Sequence, residues 1–271
     1  MESLYDELKD KALRIRRNIV NMIYLASSGH PGGALSITDI LTALYFTEMN
    51  IDPLNPKDEN RDRFVLSKGH ASAALYATLA ERGFIKNEDL LGFRKLDSNL
   101  QGHPDMNKIP GVDMTTGSLG QGLSAANGMA LAGKLDNKNY RVYCVLGDGE
   151  IEEGQVWEAA MSASHHKLDN LCVIVDNNNL QIDGTVDKVM SPYPIVDKFE
   201  SFGFNVIQID GHDYKQIIEA FEGAKKVTGK PTAIIAKTIK GKGVSYMENQ
   251  ASWHGKAPNE QELAQAMQEL I

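Results

Sequence analysis

At 271 residues, 42% apolar and 24% charged, the chain has the composition of an ordinary globular protein, long enough to bury a full core. Its 28 basic and 36 acidic residues leave a formal charge of −8, which argues against nucleic acid or an anionic membrane surface as the main partner. No apolar run approaches about eighteen residues, the charged N-terminus does not read as a signal peptide, and Cys144 and Cys172 lie in apolar runs without metal-ligand spacing, so reduced thiols in the cytoplasm are expected.

In chain order, Leu4, Leu8, Ile15, Ile19, Ile23 and Leu25 predict a helix over 4–28. Ser28-Gly29-His30-Pro31-Gly32-Gly33 is a poor helix candidate. A second helix is expected over 38–49, then a polar loop over 55–63 and a short strand over 64–66 that stops at Ser67-Lys68-Gly69-His70. Helices over 71–81 and 87–94 precede a loop-rich stretch, 101–122, and an Ala/Gly-rich helix running to Lys134. Apolar runs over 142–146 and 171–175 read as strands on either side of a helix over 151–166. A strand over 204–209, an amphipathic helix over 214–227, a strand over 231–237, a Gly- and Lys-bearing loop over 240–257 and a helix over 260–270 complete the chain. Strands alternating with helices predict an α/β protein with a central, mostly parallel sheet flanked by helices on both faces. No repeat or linker divides residues 1–271, and a single domain is expected.

The organising stretch runs from Gly147 to Gly184, a strand–turn–helix–strand unit with polar clusters at both strand carboxyl ends, where open α/β sheets bind ligands. Asp148 offers a hard carboxylate and Asn178 a neutral oxygen, a pairing suited to Mg²⁺ or Ca²⁺. The flanking Gly147 and Gly149 let backbone N–H groups approach phosphate oxygens, and the following helix start favours negative charge. Gly-Asp-Gly alone is a common surface turn. Followed about thirty residues on by Asn177-Asn178-Asn179, with each half after an apolar strand, it resembles the thiamine-diphosphate signature. The run of three Asn leaves open which one meets the metal.

His30, His70, His103 and His254 each sit beside glycine in predicted loops, a pattern that fits convergence on one anionic, acid–base site. His165 and His166, at the end of a helix, are expected to be solvated, and His212 in Asp210-Gly211-His212-Asp213 is expected to be a turn residue.

Ser28-Gly29-His30-Pro31-Gly32, the run from Asp62 to His70, Gly102-His103-Pro104 and Thr116-Gly117-Ser118-Leu119-Gly120-Gln121-Gly122 resemble transketolases. So do Gly147-Asp148-Gly149, Glu153-Gly154, Ile182-Asp183-Gly184, Asp210-Gly211-His212-Asp213 and His254-Gly255. The motifs follow family order over nearly the whole chain but match only the family's first domain, which binds the cofactor's diphosphate. The pyrimidine-binding and C-terminal domains have no counterpart here. The chain thus resembles the N-terminal subunit of a split transketolase.

That resemblance implies a thiamine-diphosphate-binding fold and a role for each matching residue. Asp148, Asn178 and the carbonyl of Leu180 would hold Mg²⁺, with Ca²⁺ or Mn²⁺ as substitutes. Gly149, His70 and His254 would hold the diphosphate of thiamine diphosphate, with Asn178 beside it. Gly117, Ser118 and Leu119 would line the aminopyrimidine side. His30, His103 and His254 would face the sugar and move protons, and Glu153 would lie at the subunit contact. The implied activity is transfer of a two-carbon ketol unit from a ketose phosphate to an aldose phosphate in the pentose phosphate pathway. It would require a C-terminal transketolase subunit carrying the pyrimidine-binding domain, in a cytoplasmic heterotetramer, with no nucleic acid or membrane partner.

Three alternatives stand beside this. One is another two-subunit thiamine enzyme, such as a dihydroxyacetone synthase, a specialised sugar transketolase or a pyruvate dehydrogenase component; Ser28–Gly32 and Gly102–Pro104 favour transketolase over the dehydrogenase. A dinucleotide-binding oxidoreductase would need a third glycine where Glu152 stands. A catalytically silent binding subunit is at odds with intact Asp148, Asn178 and four loop histidines.

Overall fold

A computed structural model describes residues 2–271. Helix α1 (Glu2–Ala26) is followed by α2 (Pro31–Ser36), α3 (Thr38–Ala43) with a π-helical extension over Leu44–Glu48, strand β1 (Arg63–Leu66) and α4 (Ser72–Arg82). Next come α5 (Gln121–Leu135), β2 (Val142–Gly147), α6 (Gly154–His165) and β3 (Leu171–Asn177). The short strands β4 (Leu180–Gln181) and β5 (Gly184–Thr185), then α7 (Val186–Val189) and α8 (Ile195–Ser201), lead to β6 (Asn205–Asp210), α9 (Tyr214–Lys226), β7 (Thr232–Lys237) and α10 (Glu260–Glu269). Five strands form one parallel sheet in the order β1-β2-β3-β7-β6, and β4 and β5 pair as a separate antiparallel hairpin.

Alternate residues of the strands enter two cores. Phe64, Leu66, Tyr143, Val145, Cys172 and Ile174 pack with α1, α3, α4 and α9 on one face. Val65, Val142, Cys144, Leu146, Val173 and Val175 pack with α5, α6 and α8 on the other. Burial on both faces explains why 142–146 of β2 and 171–175 of β3 are continuously apolar instead of alternating. It also encloses both cysteines, which are free and buried. His165 and His166 are exposed, as expected.

Two local expectations are corrected and a third is extended. The Pro31-Gly32-Gly33 stretch starts a helix instead of a loop: Pro31 occupies the first turn, where its missing N–H costs nothing. Gly32 is required there because a Cβ would lie 2.9 Å from both Lys240 Cγ and the Trp253 carbonyl oxygen. The helix expected over 151–166 is broken, a 3₁₀ turn over Glu150–Glu152 giving way to extended backbone at Glu153 before α6 begins. His212 lies in a turn, as expected, and is also half-buried and bonded at both ring nitrogens, to Asp39 and to the Ile239 amide.

All five parallel strands end on one edge of the sheet, at Leu66, Gly147, Asn177, Lys237 and Asp210. The register sets Gly147 opposite Asp176 and Asn177 opposite Lys237, so the turns after β2, β3 and β7 lie side by side. That edge carries the site.

Candidate functional site

The turn after β2 puts Asp148 at the floor of a cavity of about 260 Å³, lined among others by His30, His70, His254, Asn178 and Lys240. A larger cleft of about 710 Å³ between Gly83 and Pro110 is lined by none of these histidines. Asp148 is only 2% exposed, and its carboxylate accepts hydrogen bonds from the backbone N–H groups of Gly149 and Asn179. Burial first, and the Asp176 charge second, push its pKa up to about 7 despite those bonds and the nearby Lys240. A buried carboxylate without a cationic partner is costly, and a bound cation would offset that cost.

Asp176, fully buried at the end of β3, fixes the neighbouring ligand geometry. It accepts from Lys68 Nζ (2.5 Å), Ser36 Oγ (2.6 Å), Asn178 Nδ2 (3.0 Å) and the Thr238 hydroxyl. Burial alone would raise its pKa, but the Lys68 ion pair and these donors hold it below the usual carboxylate range. The bond from Asn178 Nδ2 also settles the amide orientation, leaving Oδ1 as an acceptor, here 3.1 Å from the Leu180 amide nitrogen. Asn177 instead accepts from the Tyr193 hydroxyl at 2.7 Å, so Asn178 is the residue of the run whose oxygen lies with Asp148 in the cavity. Asp148, Asn178 and Leu180 line one cavity, and the carboxylate, amide and carbonyl oxygens they carry are the donor type that hard divalent cations take.

Three imidazoles face one another above this floor. Ring centroids are 5.2 Å apart for His30–His70, 5.4 Å for His30–His254 and 5.2 Å for His70–His254. Burial is the main reason that all three are hard to protonate. His30 is brought down to about 4, with Arg94 adding to the effect, and His254 to about 3, with Lys240 adding to it. His70 lies well below its ordinary value, with Lys68 as the second cause. Neutral imidazoles both donate and accept. Lys240 Nζ lies 2.9 Å from His254 Nδ1, and since an ammonium only donates, Nδ1 accepts and the ring proton sits on Nε2. Lys240 also donates to the Leu180 carbonyl at 3.0 Å. Burial, then the Lys68 charge, lowers its own pKa to about 8.

Of the predicted site residues, His30, His70, Gly117, Leu119, Asp148, Gly149, Asn178, Leu180 and His254 line this cavity. Ser118 and Glu153 are exposed, and Glu153 lies close to the loop that carries Leu119: a Cβ on Gly120 would be 2.9 Å from Glu153 Cβ. His103 is exposed and outside the lining, but its ring comes within 3.1 Å of where a Gly117 Cβ would be. Sequence reasoning missed Lys68, Asp176, Lys240 and Glu150. Glu150, 3% exposed, accepts from Ser67 Oγ and from the Gly120 and Gly147 amides, tying the 117–120 loop to the ends of β1 and β2. A signal existed for Asp176, a charge that directly continues the apolar run 171–175, and for Lys68, which follows the strand 64–66 with only Ser67 between.

The chain matches the family described as the thiamine diphosphate binding domain of transketolase over residues 8–270. It is 45% identical over 257 residues to a Phocaeicola vulgatus protein named as one subunit of apulose-4-phosphate transketolase, covering 94% of this chain and 90% of that one. It is 46% identical over 264 residues to a Clostridium sp. protein named as a 6-deoxy-6-sulfo-D-fructose transketolase subunit, covering 97% and 96%. The crystal structure of Campylobacter jejuni transketolase superposes with a TM-score of 0.92 at 40% identity, covering 97% of this chain and 42% of that chain. The chain therefore spans nearly all of the subunit relatives and about two-fifths of the full-length enzyme. It belongs to the transketolase thiamine diphosphate-binding family.

Proposed function

We propose that this member of the transketolase family is the N-terminal, diphosphate-binding subunit of a split transketolase, folded as one domain and working in the cytoplasm. The observation that carries the reading is the joining of hard oxygen donors to three neutral histidines in one cavity, in a chain whose length matches relatives named as subunits. Asp148, Asn178 and the Leu180 carbonyl hold Mg²⁺, with Ca²⁺ or Mn²⁺ as substitutes. Gly149, His70 and His254 hold the diphosphate, assisted by Lys240. Gly117, Ser118 and Leu119 form the wall towards the aminopyrimidine. When bound, thiamine diphosphate supplies the electron sink that lets a carbon–carbon bond next to a ketose carbonyl break and re-form on an aldehyde.

The chain's own contribution is position and proton handling. His30, His103 and His254 face the sugar and hold its hydroxyl groups. His30 and His254, kept neutral by burial, can accept a proton from a hydroxyl and return it, and an incoming dianionic phosphate makes that acceptance easier. Glu153, exposed beside the Leu119 loop, meets the companion chain, which carries the pyrimidine-binding domain. Two copies of each chain form the active heterotetramer; this chain alone binds cofactor weakly and does not turn over.

The donor is a ketose phosphate of the pentose phosphate pathway and the acceptor an aldose phosphate. A second reading, a specialised sugar donor, is favoured by the names of the two subunit-length relatives. The test is retention of a stoichiometric companion from native lysate with Mg²⁺ and thiamine diphosphate, followed by assay of the pair. Ketol transfer from xylulose 5-phosphate to ribose 5-phosphate only in the mixture supports the first reading, and transfer only from a modified sugar supports the second. A companion-bound chain without ketol transfer from any ketose would overturn both.

A further inference from the structure

The loop that delivers Lys240 to the cavity is gripped at both ends by groups that meet on one buried carboxylate. Asp39, 6% exposed on α3, receives a two-pronged bond from Arg16 of α1, at 2.9 Å and 2.7 Å. Arg16 Nε extends past it to the Lys242 carbonyl at 3.1 Å. On the other side His212 Nδ1 lies 2.7 Å from Asp39, while His212 Nε2 accepts the Ile239 N–H at 2.9 Å. That acceptance places the ring proton on Nδ1, directed at the carboxylate. Ile239 and Lys242 flank Lys240 and Gly241, and Gly241 at φ +79° donates to the Gly32 carbonyl at 3.0 Å beside the site. Between the two grips Lys240 points inward, to Leu180 and His254.

We infer that His212 and Arg16, organised by Asp39, are positioning residues that set Lys240, and through it His254, for the anionic ligand of the cavity. This rests on the proposed cofactor-binding reading of that cavity. The geometry favours such a role over a purely structural one because both grips fall on backbone groups within two residues of Lys240. A bidentate Arg–carboxylate pair with a hydrogen-bonded histidine is stiff, so the loop inherits its position. Tyr214, whose hydroxyl bonds Asp39 and the Leu8 carbonyl at 3.2 Å each, shares the carboxylate without touching the loop, and so serves as a control.

The test uses the full chain. In His212→Asn the shorter amide can still donate to Asp39 but no longer reaches Ile239, whereas in His212→Gln the longer amide can present an oxygen to Ile239. Two readouts are taken: amide hydrogen exchange of peptides spanning 239–243, and affinity for thiamine diphosphate with Mg²⁺ by calorimetry. His212→Asn should exchange at least about tenfold faster at this loop and bind about tenfold more weakly, the effect of one lost hydrogen bond to a buried amide. His212→Gln should stay within about threefold of wild type, and Tyr214→Phe within about twofold, in both readouts. Arg16→Lys, which keeps charge beside Asp39 but gives up the Lys242 bond, should weaken affinity several-fold and is the second variant should His212→Asn not fold. Wild-type exchange in His212→Asn, or equal losses in all four variants, would overturn the inference. If the wild-type chain took up no cofactor even with its companion present, the functional reading would fail while the exchange comparison still decided whether the grip exists.

Discussion

Asp148→Asn, studied in protein freed of divalent metal with EDTA, removes a buried negative charge while keeping the size of the side chain. Burial and Asp176 push the Asp148 pKa up to about 7 from an ordinary 3.8. Between those two values the unfolded chain has released this proton and the folded chain still holds it. Stability therefore falls as pH rises through the window, by about 1.4 kcal/mol per pH unit, and the full penalty of about 4 kcal/mol is present above pH 7. Asparagine escapes it but has one acceptor oxygen for the Gly149 and Asn179 amides that the carboxylate now serves. Losing one of those bonds costs about 1–2 kcal/mol. The variant should thus be about 2–3 kcal/mol more stable than wild type at pH 8, roughly 5 °C or more in melting temperature. The advantage should vanish near pH 5. Mg²⁺ with thiamine diphosphate should raise the melting temperature of wild type and leave the variant unmoved. Thermal melts at pH 5 and pH 8, with EDTA or with Mg²⁺ and cofactor, read all of this. A variant no more stable than wild type at pH 8, or a difference that does not shrink towards pH 5, would refute the assignment of Asp148 as a carboxylate held ready for a cation.

Lys68→Met leaves Asp176 buried without its ion pair and should cost about 3–5 kcal/mol in urea unfolding. Adding Asp176→Leu should then cost less than it does alone, giving a coupling of about 1–3 kcal/mol in the double-mutant cycle; additive effects would show that the pair is not coupled. His254, held neutral down to about 3 by burial and Lys240, costs the fold nothing while the unfolded imidazole is also neutral and destabilises it once the unfolded imidazole is protonated. Wild type should lose stability as pH falls from about 6.5 towards 4, and His254→Gln should lose less over that range in parallel melts. Gly241→Ala forces a side chain onto backbone at φ +79° and into the Met247 carbonyl. It should cost about 2 kcal/mol or more and weaken cofactor affinity, whereas an unchanged melt would mean that the loop gives way easily.

The features legible in the order of amino acids are mostly local and periodic. The apolar runs at 142–146 and 171–175, with Gly and Asp directly after them, specify strands, turns and the edge where ligands meet, because side-chain period and turn chemistry act between near neighbours. Motifs likewise marked Asp148, Asn178, His30, His70 and His254, all of which line one cavity. Features that depend on distant partners emerge only in the folded chain. Pro31-Gly32-Gly33 is helical in the fold, and Gly32 is needed there because Lys240 and Trp253 leave no room for a side chain. His212 is a bridge and not a mere turn residue because Asp39, 173 positions away, and Ile239 lie on either side of its ring. Lys68 and Asp176, 108 positions apart, are each an unfavourable buried charge alone and become acceptable only as a pair. No local pattern encodes such pairings, because each group's protonation and orientation are set by neighbours that the fold alone brings within hydrogen-bond reach.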